Sequence, residues 1–246
     1  MTSPGAVRRV VSLVPSLTEA VAATAPDLLV GATDWCSHPA GLDVTRVRGT
    51  KNPDLERIAG LEPDLVLANE EENRPADLDA LRAAGLGVLV TEIRSVPQAF
   101  GELHRALVEG CGLPRPAWLD EAEAAWADVR AGFDAVAVVP VWRRPWMVLG
   151  RDTFAGAVLA HLGVRNRYAG HAERYPRVPL PELADAQAAD LVVLPDEPYA
   201  FAADDGPEAF PGLPAALVSG RHLTWYGPSL TEAPGVLADA LRRALG

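Results

Sequence analysis

The chain has 246 residues, 49% hydrophobic and 22% charged, enough apolar material for one large core or two smaller ones, which excludes an intrinsically disordered chain. A net charge of −11 repels phosphate backbones and excludes nucleic acid as the expected partner, and no run reaches the roughly 18 apolar residues that cross a bilayer. Two cysteines, Cys36 and Cys111, cannot build a disulfide framework and read as buried thiols.

The first element is a short strand over Arg9–Val14, β-branched and ended by Pro15. Ser16-Leu17-Thr18-Glu19 has the spacing of a capping box, which predicts a helix from Ser16 to about Ala25. A second strand follows over Leu28–Ala32 and ends in the loop Thr33–Pro39. Asn52-Pro53 supplies a cap and a first-turn proline for a helix through Gly60. Then come a strand at Leu65–Ala68, the acidic loop Asn69–Asn73, a helix over Pro75–Ala84 ended by Gly85, and a strand at Val88–Thr91. Ser95-Val96-Pro97-Gln98 opens the next helix.

From Pro116 to Val136 the chain reads as one helix of roughly 30 Å, with Trp118, Ala122, Trp126, Val129 and Phe133 at helical spacing. Such an aromatic stripe is more often core than a ligand surface. A strand at Trp146–Leu149, a helix from Asp152 to His161, a strand at Leu191–Leu194 and a helical tail over Thr231–Leu245 complete the reading. Strands alternating with helices imply an α/β fold with mainly parallel sheets. Residues 55–67 align without a gap on residues 181–193. Each copy carries a glutamate (Glu56, Glu182) eight residues before an aspartate (Asp64, Asp190) that leads into a strand. Two similar Rossmann-like lobes follow from this, expected at residues 1–115 and 139–246, with an interlobe backbone helix at 116–138.

The motifs Arg9–Glu19, Val30–Cys36, Asn52–Ile58 and Leu61–Val66 resemble the class III substrate-binding proteins of ABC importers. These helical-backbone metal receptors take vitamin B12, haem and ferric siderophores, and the resemblance is to the cobalamin-binding branch. Over the second half it rests on Leu149–Asp152, Glu182 with Asp190, and Leu223–Gly227. The resemblance implies a non-catalytic binding protein with a metal-chelate cargo, a cobalamin or related corrinoid, held in a cleft between the lobes. No covalent cofactor, no protein-bound metal, a monomer and an importer permease as partner are implied with it. Haem or a ferric siderophore is the alternative cargo, and a cytoplasmic enzyme or delivery protein handling such cofactors is the alternative role.

A planar macrocycle needs flat, amphipathic walls. Trp35, Trp142, Tyr199, Trp225 and Tyr226 are the candidates, Trp146 flanks them, and lobe core is the competing explanation for half the tryptophans. Pro15, Ser16, Glu70, Asn73 and Arg74 lie where the resemblance puts further ligand contacts, although the acidic loop also reads as a solvated run at a helix amino end. Glu56 and Glu182 match positions that pair with transporter arginines; the helix dipole explains them equally. Cys36-Ser37-His38 offers a thiol and an imidazole but lacks the further ligands of a tetrahedral site. No G-x-S-x-G, P-loop or complete dinucleotide fingerprint occurs, which speaks against an enzyme. No signal-peptide core or lipobox cysteine stands near the start, so the chain as written is expected in the cytoplasm, and outside it if the start is truncated.

Overall fold

A computed structural model describes residues 6–129 and 132–246. The chain divides into two compact units, the first made of residues 1–93, 97–121 and 226–228 and the second of residues 94–96, 122–225 and 229–246.

The first unit is built on five parallel strands, β1 (Val10–Ser12), β2 (Leu29–Ala32), β3 (Thr45–Arg46), β6 (Leu65–Asn69) and β7 (Val88–Thr91), in the order β3-β2-β1-β6-β7. Between β3 and β6 lies a small antiparallel pair, β4 (Arg48–Gly49) with β5 (Asn52–Pro53). Helices α1 (Pro15–Thr24), α2 (Leu55–Gly60), α3 (Pro75–Ala83) and α4 (Val96–His104) connect and cover the strands. Val10, Val11, Val66 and Leu67 are fully buried, because a parallel sheet covered on both faces needs unbroken apolar runs rather than alternation.

The second unit repeats the arrangement. Strands β8 (Ala135–Val138), β11 (Val164–Asn166), β12 (Leu191–Pro195) and β13 (Ala215–Val218) form a parallel sheet in the order β11-β8-β12-β13. A separate antiparallel pair joins β9 (Pro140–Trp142) to β10 (Met147–Val148). Helix α5 (Ala117–Ala127) leads in from the first unit, and α6 (Phe154–His161), α7 (Leu180–Leu183), α8 (Gly220–Thr224) and α9 (Ala233–Leu245) follow.

The internal repeat has a physical counterpart. Asp64 donates its backbone N–H to Arg9 O at 2.9 Å, and its Oδ2 accepts the N–H groups of Arg8 and Arg9 at 2.8 and 2.9 Å. Asp190 donates to Val136 O at 2.8 Å, and its Oδ2 accepts the Val136 N–H at 2.7 Å. In both units the aspartate thus ties the strand it precedes to the first strand of the sheet. The mainly parallel, two-lobed α/β architecture is the expected one.

Several local expectations fail for identifiable reasons. The helix expected over 116–138 ends at Ala127, and residues 135–138 form the strand β8; residues 130 and 131 lie outside the described residues. Gly132 is a poor helix residue, and its N–H bonds to Leu162 O at 3.2 Å. Beside it, Gly163 takes φ +92°, and a Cβ there would sit 2.1 Å from Phe133 O. The run Ala135–Val138 then pairs with β11 and β12 on either side, so sheet pairing overrides the helical spacing of Val129 and Phe133.

The predicted capping box at Ser16 does not form. Pro15 takes the first helical position and Val14 the extended cap position, which puts Ser16 inside the helix. Asn52-Pro53 enters the β4–β5 pair, and Asp54 caps α2 instead, its Oδ1 accepting the Arg57 N–H at 3.1 Å. Asp152 has a left-handed backbone, and Thr153 caps α6 by accepting the Gly156 N–H. The strand expected at Trp146–Leu149 is the two-residue β10, antiparallel to β9. No described helix is long and apolar enough to cross a membrane.

Candidate functional site

In parallel sheets the loops at the carboxyl ends of the strands collect side chains from distant parts of the sequence. In the first unit Pro15 and Ser16 open α1 directly after β1, and the loops hold Trp35 after β2 and Glu70, Asn73 and Arg74 after β6. Trp35 is 68% exposed, on a loop that is otherwise fixed. Asp34 N–H bonds to Arg48 O at 2.9 Å, and Arg46 Nη1 donates to Thr33 O and Cys36 O, both at 2.9 Å. Cys36 is buried, with its Sγ 3.0 Å from Thr18 Oγ1 and 3.1 Å from Thr33 Oγ1. Gly49 lets the indole lie close, since a Cβ there would stand 3.3 Å from Trp35 Nε1. The bare indole is held out by a braced loop.

Burial pushes the Cys36 thiol up despite these bonds, and pushes Cys111 up to about 11. Both thiols therefore stay protonated at neutral pH. At pH 8 neither is expected to react with a thiol-specific disulfide reagent in the native chain, and both should react in denaturant; rapid native labelling would contradict this burial. Among the described residues no group of three or more His, Cys, Asp and Glu side chains is arranged to hold a metal ion.

Ser16 and Tyr226 are buried and hydrogen-bonded to each other, with Thr91 as a further partner of the phenol. Burial, with Glu72 second, raises the Tyr226 hydroxyl far above the ordinary tyrosine range. Asn73 is likewise turned inward. Its Oδ1 accepts the Asn69 N–H at 2.9 Å, and its Nδ2 donates to Thr50 O at 3.0 Å and Leu13 O at 3.3 Å. Three of the expected contacts thus brace this edge from inside, whereas Glu70 and Arg74 are exposed.

Burial first, and the neighbouring Glu71 second, push the Glu72 carboxyl above the usual glutamate range, with Lys51 pulling the other way. A carboxyl whose pKa is raised on folding loses the folded state stability as the pH climbs through that value. Glu72→Gln is therefore expected to raise the melting temperature at about pH 7–8, with the gain vanishing near pH 4 where both side chains are neutral. A variant that melts lower at pH 8 would contradict this environment.

In the second unit the carboxyl-end loops build an aromatic wall. Trp142, 43% exposed, ends β9 and meets Tyr199 edge-on, with ring centroids 5.7 Å apart at 82°. Tyr199 packs against Phe201 at 4.6 Å and donates its hydroxyl to Asp205 Oδ2 at 2.6 Å. Arg143 joins the parts. It pairs with Asp205 through Nη1 and with Glu208 Oε1 through Nη2 at 2.5 Å, and its guanidinium lies 5.3 Å from the Trp146 ring centroid. Trp146 stacks on Phe201 and meets Phe210 edge-on. The exposed Trp142 therefore rests on a chain of aromatic and charged contacts that ends in the unit's core.

Sequence reasoning missed Arg143 and Asp205. The visible signal was Arg143-Arg144 flanked by Trp142 and Trp146, opposite Asp204-Asp205 in a loop of aromatics. Trp225 stands apart from the wall. It is buried at the end of α8, and its Nε1 donates to Glu197 Oε2 at 3.0 Å. Glu56 and Glu182 are exposed in the first turns of α2 and α7, and Glu182 Oε1 accepts the Tyr168 hydroxyl at 3.1 Å.

The family model described as periplasmic binding protein matches residues 10–210. The chain belongs to that family. The periplasmic binding proteins are receptors, not enzymes, which accords with the missing catalytic motifs. A vitamin B12-binding protein of Photorhabdus laumondii is 28% identical over 178 residues, 69% of this chain and 64% of that protein. Vitamin B12-binding proteins of Vibrio cholerae are 30% identical over 100 residues, so the match spans only 36% of their length. Among solved structures, the periplasmic vitamin B12-binding protein BtuF of Vibrio cholerae has a TM-score of 0.76 at 19% identity, covering 97% of this chain and 98% of that one. The periplasmic haem-binding protein BhuT, in complex with two haems, has a TM-score of 0.75 at 25% identity, covering 97% and 99%.

Proposed function

We propose that this periplasmic binding protein is a receptor for a planar metal chelate, a cobalamin or related corrinoid, which it passes to an ABC importer permease. The observation that carries the reading is the exposed Trp142 on the Arg143–Asp205 scaffold, with Trp35 as a second exposed indole on a braced loop. An exposed indole on a braced loop offers a flat, amphipathic face, and such faces suit a macrocycle. Because the supporting side chains are already hydrogen-bonded, little ordering is left to oppose binding. Glu70 and Arg74, both exposed, would address the polar periphery of the cargo. Similarity to the vitamin B12-binding proteins supports the corrinoid, and the 25% identity with BhuT supports haem as the second reading. Glu56 and Glu182, exposed at equivalent places in the repeat, are the proposed contacts to permease arginines.

Six tryptophans make fluorescence quenching a direct readout. Cyanocobalamin is expected to quench emission saturably, and Trp142→Ala to weaken binding about tenfold, or roughly 1.4 kcal/mol. Trp35→Ala should act in the same direction. An affinity unchanged by both substitutions would remove the aromatic faces from the site.

A further inference from the structure

The second unit carries a feature that a macrocycle receptor does not require. A cavity of about 530 Å³ opens between α6 and the edge strand β11, and Arg94, Arg165 and Arg167 all line it. Asp152 is the only carboxylate among the described lining residues, and even counting Asp134, which faces Arg165, three cations stand against two anions on a chain whose net charge is −11. This is local enrichment of cations against the overall balance. The groove also lies on different elements from the aromatic wall, which rises from β9 and the loop after β12.

The arginines are placed to bind. Arg167 lies over the Tyr168 ring at 5.3 Å, and its Nη1 donates to Glu182 O at 2.8 Å. Those contacts fix the plane of the guanidinium while using one of its five N–H donors. Arg165 meets Asp134 at 3.6 Å, with both side chains well exposed, a pair that solvent screens and a bound anion could outcompete. The capped amino end of α6, at Thr153 and Gly156, adds partial positive charge to the same rim. Asn166 holds the wall rather than facing a ligand, since its Nδ2 donates to Leu149 O at 2.9 Å and Gly150 O at 3.0 Å.

The lining also holds short apolar side chains, Val136, Ala157 and Ala160. A bare ion would fill little of this volume and leave those side chains uncovered. We infer that the groove binds a small organic anion, a carboxylate or phosphate ester, whose charged head meets Arg165 and Arg167 while a short apolar body lies on Val136, Ala157 and Ala160. The inference does not rest on the chelate reading and stands or falls separately.

The test is calorimetric titration of the intact chain at constant ionic strength with butyrate, succinate, phenyl phosphate and inorganic phosphate. At least one organic probe is expected to saturate with a Kd of millimolar or tighter and to bind better than inorganic phosphate; the preferred head group separates carboxylate from phosphate ester. Arg165→Gln, at an exposed site that should leave folding intact, is expected to weaken that binding about tenfold, and Arg165→Glu more, while Arg165→Lys restores part of it. Cyanocobalamin binding should be the same in all three. No saturable heat up to about 20 mM of any probe, or equal binding by wild type and Arg165→Glu, would overturn the inference.

Discussion

Trp126→Ala is expected to lower the stability of the chain by about 3–5 kcal/mol, the range for truncating a large buried aromatic. Trp126 is only 1% exposed, its Nε1 donates to Leu230 O at 2.9 Å, and its ring meets His161 edge-on at 5.5 Å. His161 Nε2 in turn lies 3.1 Å from Trp126 O. Alanine would open a cavity among Ala122, Leu230 and α6 and leave the Leu230 carbonyl unpaired. For a chain of this length each kcal/mol moves the melting temperature by about 2–4 °C, so a fall of roughly 10 °C is expected by calorimetry. Trp126→Phe keeps most of the volume but loses the N–H, and should cost about 1–3 kcal/mol. A Trp126→Ala variant melting within a degree or two of wild type would mean that α5 does not seat this side chain in the core.

Asn73→Ala should come next in size. One amide satisfies the Asn69 N–H and the carbonyls of Leu13 and Thr50, all in a buried setting. Removing it strands three backbone groups, each worth about 1–3 kcal/mol when unpaired, and partial relaxation brings the expected loss to about 3 kcal/mol or more. Denaturant titration reads that loss directly. The same variant separates two roles for the acidic loop. A residue that only touches cargo would cost affinity and leave stability alone, whereas the bracing seen here predicts lost stability. Asn73→Asp, which keeps the acceptor for Asn69 but loses both donors, should also destabilise.

The strands that carry each sheet's carboxyl-end loops were legible where they are short, β-branched and bounded by turn residues, as in β1, β6, β7 and β12. β8 was hidden because its alanines and valines continue the helical spacing of Trp118, Ala122 and Trp126, and only pairing with β11 and β12 decides for a strand. β11 and β13 are no shorter than β1 and β7, but Val164-Arg165-Asn166 and Ala215-Ala216 are too mixed or too weakly β-branched to leave a strand signal. Helix caps failed by one or two residues at Ser16, Asn52 and Asp152, where proline geometry, strand pairing and a left-handed backbone, respectively, displaced the expected cap.

The repeat was readable because Asp64 and Asp190 keep one spacing to one structural job. In the candidate site, sequence reasoning found the exposed Trp35 and Trp142 but could not separate them from Trp225 and Tyr226. Those two are buried by partners far away in the chain, Glu197 for the indole and Ser16 with Thr91 for the phenol. Composition is equally blind to Arg143, which works by joining Asp205, Glu208 and Trp146 across some 60 residues of sequence.

The central claim is that this family member binds a metal chelate, and calorimetric titration of the purified chain with cyanocobalamin tests it most directly, with haemin and a ferric hydroxamate run in parallel. One-to-one binding of cyanocobalamin at about micromolar Kd or tighter, near −8 kcal/mol, is the predicted result. Binding of haemin in its place would keep the receptor and change its cargo. No binding of any of the three at concentrations well above that Kd would contradict the account.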